Sequence, residues 1–235
     1  MWAFLIESPA FGILVTVAAF VLAMLFARAV GNPAWANPVL WASAAVVALL
    51  LLARIEYNDY MIGGQYFTPL LGIAVVALAA PPFRHRRLLK RSSLVVITAV
   101  GLGSVAGVGT TVLLAWAFGG SQQAILAAAP KQATSPVALA VADLSGGPGE
   151  LAAVLAVLTG ILGATAGPSV LRLLRFSDPR NRGLAMGVSA HAIGTAQITR
   201  EDPVAGAFAV VGMVLAALYI TVITPVAFAV LGRFS

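Results

Sequence analysis

Long apolar runs separated by short polar clusters follow one another along the whole chain. Pro9 to Ala27 holds no charged residue, and neither do Asn32 to Ala53, Ser92 to Pro130 or Leu151 to Leu171. A helix needs about 20 mainly apolar residues to cross a bilayer, so several of these runs predict spanning α-helices. The strands of an outer-membrane barrel would alternate apolar and polar positions, and these runs do not alternate. The pattern predicts an all-α fold, a polytopic transmembrane helical bundle forming one integral membrane domain over residues 1–235.

The polar clusters orient this bundle. "RHRRLLKR" (Arg84–Arg91) carries five basic side chains and no acid, and "RLLRFSDPRNR" (Arg172–Arg182) carries four against Asp178. Short basic loops beside apolar spans are expected in the cytoplasm, facing anionic headgroups. With both loops inside, Ser93–Phe118 goes out and Leu151–Leu174 returns, so residues 119–149 face or enter from the outside. Counting backwards, Phe67–Phe83 comes in, Val39–Ala53 goes out and Pro9–Phe26 comes in, which leaves Arg28 inside. No positive charge precedes the first run, where Glu7 stands instead, so a cleavable signal peptide is not expected. Val204–Leu231 is long enough for a last span, whereas Gly183–Ile198 is too short and too polar for an ordinary one.

Three stretches fit a spanning helix poorly: the opening residues, "YNDYMIGGQYFTPLLGIAVVALAAPP" (57–82) and "GGSQQAILAAAPKQATSPVALAVADLSGGPG" (119–149). Each is an apolar run interrupted by Gly, Pro or hydroxyls. Irregular backbone is tolerated in a membrane only inside protein or beside a water-filled cavity. Broken or re-entrant helices are therefore expected, and these point to a carrier's binding site. Gly103 and Gly107, like Gly163 and Gly167, are four apart, the spacing that lets helix backbones approach closely.

Composition narrows the chemistry. The chain is 60% hydrophobic and 9% charged, with a mean hydropathy of +0.99. Without cysteine, disulfides, thiolate zinc sites and iron–sulfur clusters are excluded, and two histidines do not make a metal site. No metal and no cofactor are expected. The net charge of +6 resides largely in the basic loops, which points to lipid headgroups rather than nucleic acid.

Two polar groups stand out in oily surroundings. Lys131 lies between two prolines beside Thr134 and Ser135, where a re-entrant turn would offer an ammonium, hydroxyls and freed amides to a carboxylate. A simple loop with Lys131 reaching for the surface is the plainer alternative. His191 sits in "GLAMGVSAHAIGTAQ" (183–197), and ionisable groups at membrane depth usually mark a pathway or proton relay. A packed imidazole bonded to a backbone carbonyl is its alternative. Gly187 and Gly194 bracket His191 and are expected to release the chain from helical geometry, with Ser189 and Thr195 adding hydroxyls. Ser189 and His191 point in different directions on a helix, and no G-x-S-x-G or H-E-x-x-H occurs, so an enzyme is not expected.

These motifs together resemble the LrgB/CidB family of bacterial membrane proteins, to which the plastid glycolate/glycerate translocator is related. "YNDYMIGG…LLGIAVVALAAPPF" (57–83), "PKQATSPVA" (130–138) and "GLAMGVSAHAIGTAQ" (183–197) are similar to the family's motifs in order and spacing. Ala190, Gln197 and Ile73 depart from the pattern, which has serine, arginine and proline there. The resemblance implies one of two jobs in a bacterial inner membrane. One is transport of small carboxylates such as glycolate, glycerate, lactate or pyruvate. The other is regulation of murein hydrolase export and cell lysis beside a small LrgA/CidA-type partner.

The polar groups favour the carrier. Its substrate site is expected to combine Lys131, Thr134 and Ser135 with Ser189, His191, Gly194 and Thr195, and His191 would carry a coupled proton. Tyr57, Tyr60, Gly63, Gly64 and Gln197 are further candidates. A homo-oligomer and alternating access through inverted repeats suit such a carrier, though the only internal echo is "VVALA" (75–79) against "PVALA" (136–140).

Overall fold

Four helices begin at a capping residue followed by proline, because proline at the first helical position has no amide to leave unpaired. In a computed structural model, which describes residues 8–67, 69–70, 73, 77 and 80–231, the regular elements are all helical. Ser8, Asn37, Asp178 and Asp202 each accept from the backbone amide two residues on, at 2.7–3.3 Å, and Pro9, Pro38, Pro179 and Pro203 follow them. Arg180 also hydrogen-bonds the Asp178 side chain, which holds that carboxyl below its usual pKa and keeps the cap ionised. The residues group into two compact units, Met1–Ala79 and Ala80–Ser235.

The first unit contains α1 (Pro9–Ala29), α2 (Pro38–Ala53) and α3 (Tyr57–Gly64). Gly12 of α1 and Gly63 of α3 press backbone on backbone, leaving no room for a side chain at either position. The Tyr60 hydroxyl shares a 2.7 Å hydrogen bond with Thr16, and Phe26 meets Trp35 and Trp41 edge-on. At 16 residues α2 is shorter than an ordinary span. Of the span expected over Phe67–Phe83, residues 68, 71–72, 74–76 and 78–79 lie outside the described residues, as do the opening residues 1–7.

In the second unit, the basic loop expected at Arg84–Arg91 is helical, as the end of α4 (Ala80–Arg84) and α5 (Arg86–Arg91). It contains no glycine or proline, and Leu88 and Leu89 pack on the core while the basic side chains face out. There follow α6 (Ser93–Ala117), α7 (Gln122–Ala128), α8 (Ser135–Leu144), α9 (Gly149–Leu173), α10 (Pro179–Glu201) and α11 (Pro203–Leu231). Among the described residues α1, α6, α9 and α11 are long and apolar enough to cross a membrane, with hydropathies of 1.8–2.6. Their outer faces carry exposed leucines such as Leu22, Leu102, Leu162 and Leu218. Apolar surface on that scale is suited to lipid. The chain is a multi-pass membrane protein.

Both polar interruptions of this unit fold back on themselves. Helices α7 and α8 are joined by a turn at residues 129–134, and Gly147, just past α8, lies against Leu126 and Ala127 of α7. Helix α10 breaks at His191, whose φ of 38° and ψ of −130° are not helical. Its arms, 179–190 and 192–201, then lie side by side: Gly194 packs on Ala190 and the Met186 carbonyl, and Arg182 bonds Glu201 at 2.6 Å. In a straight helix these two charges would stand nearly 30 Å apart, at about 1.5 Å per residue. The feet of this hairpin therefore sit together beside the Arg172–Arg182 cluster.

Candidate functional site

Small residues let the hairpins seat deeply. On α9, Gly160 faces His191 at the break, and Gly163 and Gly167 face Ala190 and Met186 of the first α10 arm, so close that a Cβ at any of the three glycines would collide. On a neighbouring face of α10, Gly183 and Gly187 lie against the Ala205 and Ala209 carbonyls of α11. Gly103 of α6 touches Val188, and Gly107 lies under the carboxamide of Gln132. The Gly163–Gly167 spacing seen in the sequence thus serves helix packing, whereas Gly107 of the other pair faces a turn.

This packing brings the two turns together. Ala129 and Ala133 of the first turn share a core with Val188 of α10. Ala156 of α9 packs with Ala138 and Ala142 of α8, while its carbonyl lies 2.7 Å from His191 Nε2. Next to the meeting point is an open pocket of about 650 Å³ lined by α6, α9 and the first arm of α10. It runs from Phe176 and Asn181, at the basic end of the unit, to Gln132 in the first turn and Ser189 near the second.

The expected site residues divide into three groups. Ser189 lines the cavity, although its hydroxyl also donates to the Ala185 carbonyl at 2.6 Å. Lys131, Thr134 and Ser135 are half-buried in the first turn, one residue or more from the cavity wall. Thr134 precedes α8 without making a capping bond, so the first amides of that helix have no side-chain acceptor from it. Lys131 has no ion-pair partner among the described residues.

His191 is buried, with Nε2 held by the Ala156 carbonyl and Nδ1 without a partner among the described residues. One nitrogen thus matches the packed alternative, and the other keeps its bonding capacity. Gly194 and Thr195 are buried in packing, Gly194 between the α10 arms and Thr195 beside Met213 of α11. Gln197 bonds Glu201 at 3.4 Å near the hairpin's feet. In the first unit Tyr57 is exposed, Tyr60 bonds Thr16, Gly63 packs on α1, and Gly64 lies beside Met61.

Two features differ from the sequence expectation. The break in α10 falls on His191 itself, while Gly187 and Gly194 remain helical and serve close packing. Gln132, a neutral amide beside the more conspicuous Lys131, reaches the cavity instead of the lysine.

The chain matches the model of the LrgB-like family over residues 16–230. It is 33% identical to the holin-like protein CidB of Staphylococcus aureus over 214 residues, covering 91% of this chain and 93% of the relative. It is also 35% identical to the uncharacterized protein YwbG of Bacillus subtilis over 185 residues, 78% and 82% of the two chains. The uncharacterized YxaC of the same organism is 32% identical over 206 residues, 88% and 89%. No solved structure matches.

Proposed function

The chain belongs to the LrgB-like family, and we propose that within it the protein is a carrier of small carboxylates in a bacterial inner membrane. One observation carries this reading: two folded-back segments meet in the bundle beside a cavity into which each contributes a polar side chain, Gln132 and Ser189. A cavity of about 650 Å³ is ample for a three-carbon acid and modest for a polymer. Anion binding is supported by the uncapped start of α8 and by Lys131 in the same turn, since helix N-termini and ammonium groups both favour negative charge. Two hairpins approaching from opposite ends suit alternating access, with one hairpin moving against the other.

His191 is the only titratable side chain buried among the described residues, and it is our candidate for a coupled proton. The second reading is a holin-like regulator of murein hydrolase export acting with a small membrane partner; its support is that the staphylococcal relative is named a holin-like protein. Proteoliposomes holding this chain alone separate the two. A carrier takes up labelled glycolate, lactate or pyruvate and retains an encapsulated dye, and a pH gradient drives accumulation that His191→Gln abolishes while leaving exchange. Dye leakage with no selective uptake would sink the carrier reading; full accumulation by His191→Gln would sink the proton role alone.

A further inference from the structure

We propose that the second arm of the α10 hairpin, residues 192–201, is a gate on the pocket, latched at its foot by Arg182 and Glu201; this rests on the carrier reading above. Each end of the arm is bounded by a residue outside helical geometry. These are His191, at φ 38° and ψ −130°, and Asp202, extended at φ −153° and ψ 123°. A short helix between two such residues can swing as a unit, because a few terminal positions suffice to absorb a hinge motion. Asp202 is fixed on its far side, where its carboxylate accepts from the Val204 and Ala205 amides of α11 at 2.7 and 2.9 Å.

The two arms are held differently. The first is seated on α9 through Gly163 and Gly167 and on α11 through Gly183 and Gly187. The second rests on α11 where Thr199 meets Gly206, on the first arm at Gly194, and reaches α9 at its tip, where Ile193 lies beside Gly160. Its Ala196, Arg200 and Glu201 are exposed. Behind Gly194 is Met186, which is buried and lines the pocket, with its methyl on Gly194 and its sulfur on Gly167. Withdrawal of the second arm therefore uncovers Met186 and opens the pocket through its floor.

The latch is suited to release. Arg182 holds Glu201 through Nη2 alone, at 2.6 Å, while Nε on the same edge of the guanidinium is buried without a partner among the described residues. A carboxylate gripped by both nitrogens would be held more strongly. Both charges also stand at the helix ends that suit them least, Arg182 near the start of the first arm and Glu201 at the end of the second. Each depends on the other, and the pair closes only when the arms lie together.

The chain has no cysteine, so introduced thiols report on the gate without background. In open membrane fragments, Met186→Cys should react slowly with a soluble thiol reagent. Adding Glu201→Gln should raise that rate about fivefold, the scale of one modest ion pair. The swap Arg182→Glu with Glu201→Arg should lower it again. Val100→Cys, buried in the core on α6, should stay protected in every background, which separates opening from unfolding. An unchanged rate at position 186, or an equal rise at position 100, overturns the gate. A second measurement leaves the packing intact: Arg182→Cys with Glu201→Cys, bridged by a short reagent that reductant removes. In proteoliposomes the bridge should stop uptake of labelled lactate, and reductant should restore it. Uptake at the same rate with the feet bridged overturns the gate while leaving the carrier. Absence of uptake of glycolate, lactate and pyruvate by the unaltered chain overturns the carrier reading itself.

Discussion

His191 occupies a backbone conformation that residues with a Cβ rarely adopt, at φ 38° and ψ −130°. Such a position costs about 1–3 kcal/mol and persists only where the surroundings enforce it. Here the enforcement is visible: the ring bonds the Ala156 carbonyl and fills the space left by Gly160. Inside an ordinary helix, glycine is less stable than alanine by about 0.5–1 kcal/mol. At position 191 the order should reverse. His191→Gly and His191→Ala both lose the ring, but only glycine escapes the strain, so it should unfold at the higher temperature in detergent. Equal stability, or a more stable alanine variant, would show that the turn is not strained.

At the scale of elements, contact with a neighbour decides what each glycine does. A Cβ at Gly163 of α9 would overlap that of Ala190, whereas one at Gly109 of α6 meets nothing. Gly163→Ala should therefore lift the α10 hairpin off α9 and destabilise the protein by about 1–3 kcal/mol, as overpacking does. Gly109→Ala should stabilise it by about 0.4–1 kcal/mol through lost freedom in the unfolded chain. Thermal unfolding of the pair should show shifts of opposite sign.

The same contrast marks how far the sequence could be read. The long apolar helices were legible because hydropathy is local, as in the run expected over Val204–Leu231 and found within α11. The interruptions at 119–149 and around His191 were legible for the same reason. The residue at which α10 turns was not, because Gly187 and Gly194 have the freedom to turn but are held helical by α11 and Ala190. Gln132 escaped notice since its place depends on Gly107, a residue 25 positions away in sequence that presents a bare backbone.

Over the whole molecule, the two basic clusters at Arg84–Arg91 and Arg172–Arg182 are expected to face the cytoplasm. A single cysteine at Arg86 should resist an impermeant thiol reagent in intact cells and react after lysis; labelling from outside would reverse the orientation. The absence of native cysteine keeps that measurement free of background.

The α10 hairpin has a consequence for the parity of the polypeptide's path. A segment whose feet are tied by Arg182 and Glu201 leaves on the face by which it arrived, and so adds nothing to the tally of traverses. Counting α10 as one traverse would return the chain after α11 to the side of the Arg172–Arg182 cluster. Counting it as none sends the far end of α11 to the other side. An enzyme reporter that folds only in an oxidising compartment, fused after Leu231, should therefore be active, and a fluorescent protein that matures only in the cytosol should stay dark there.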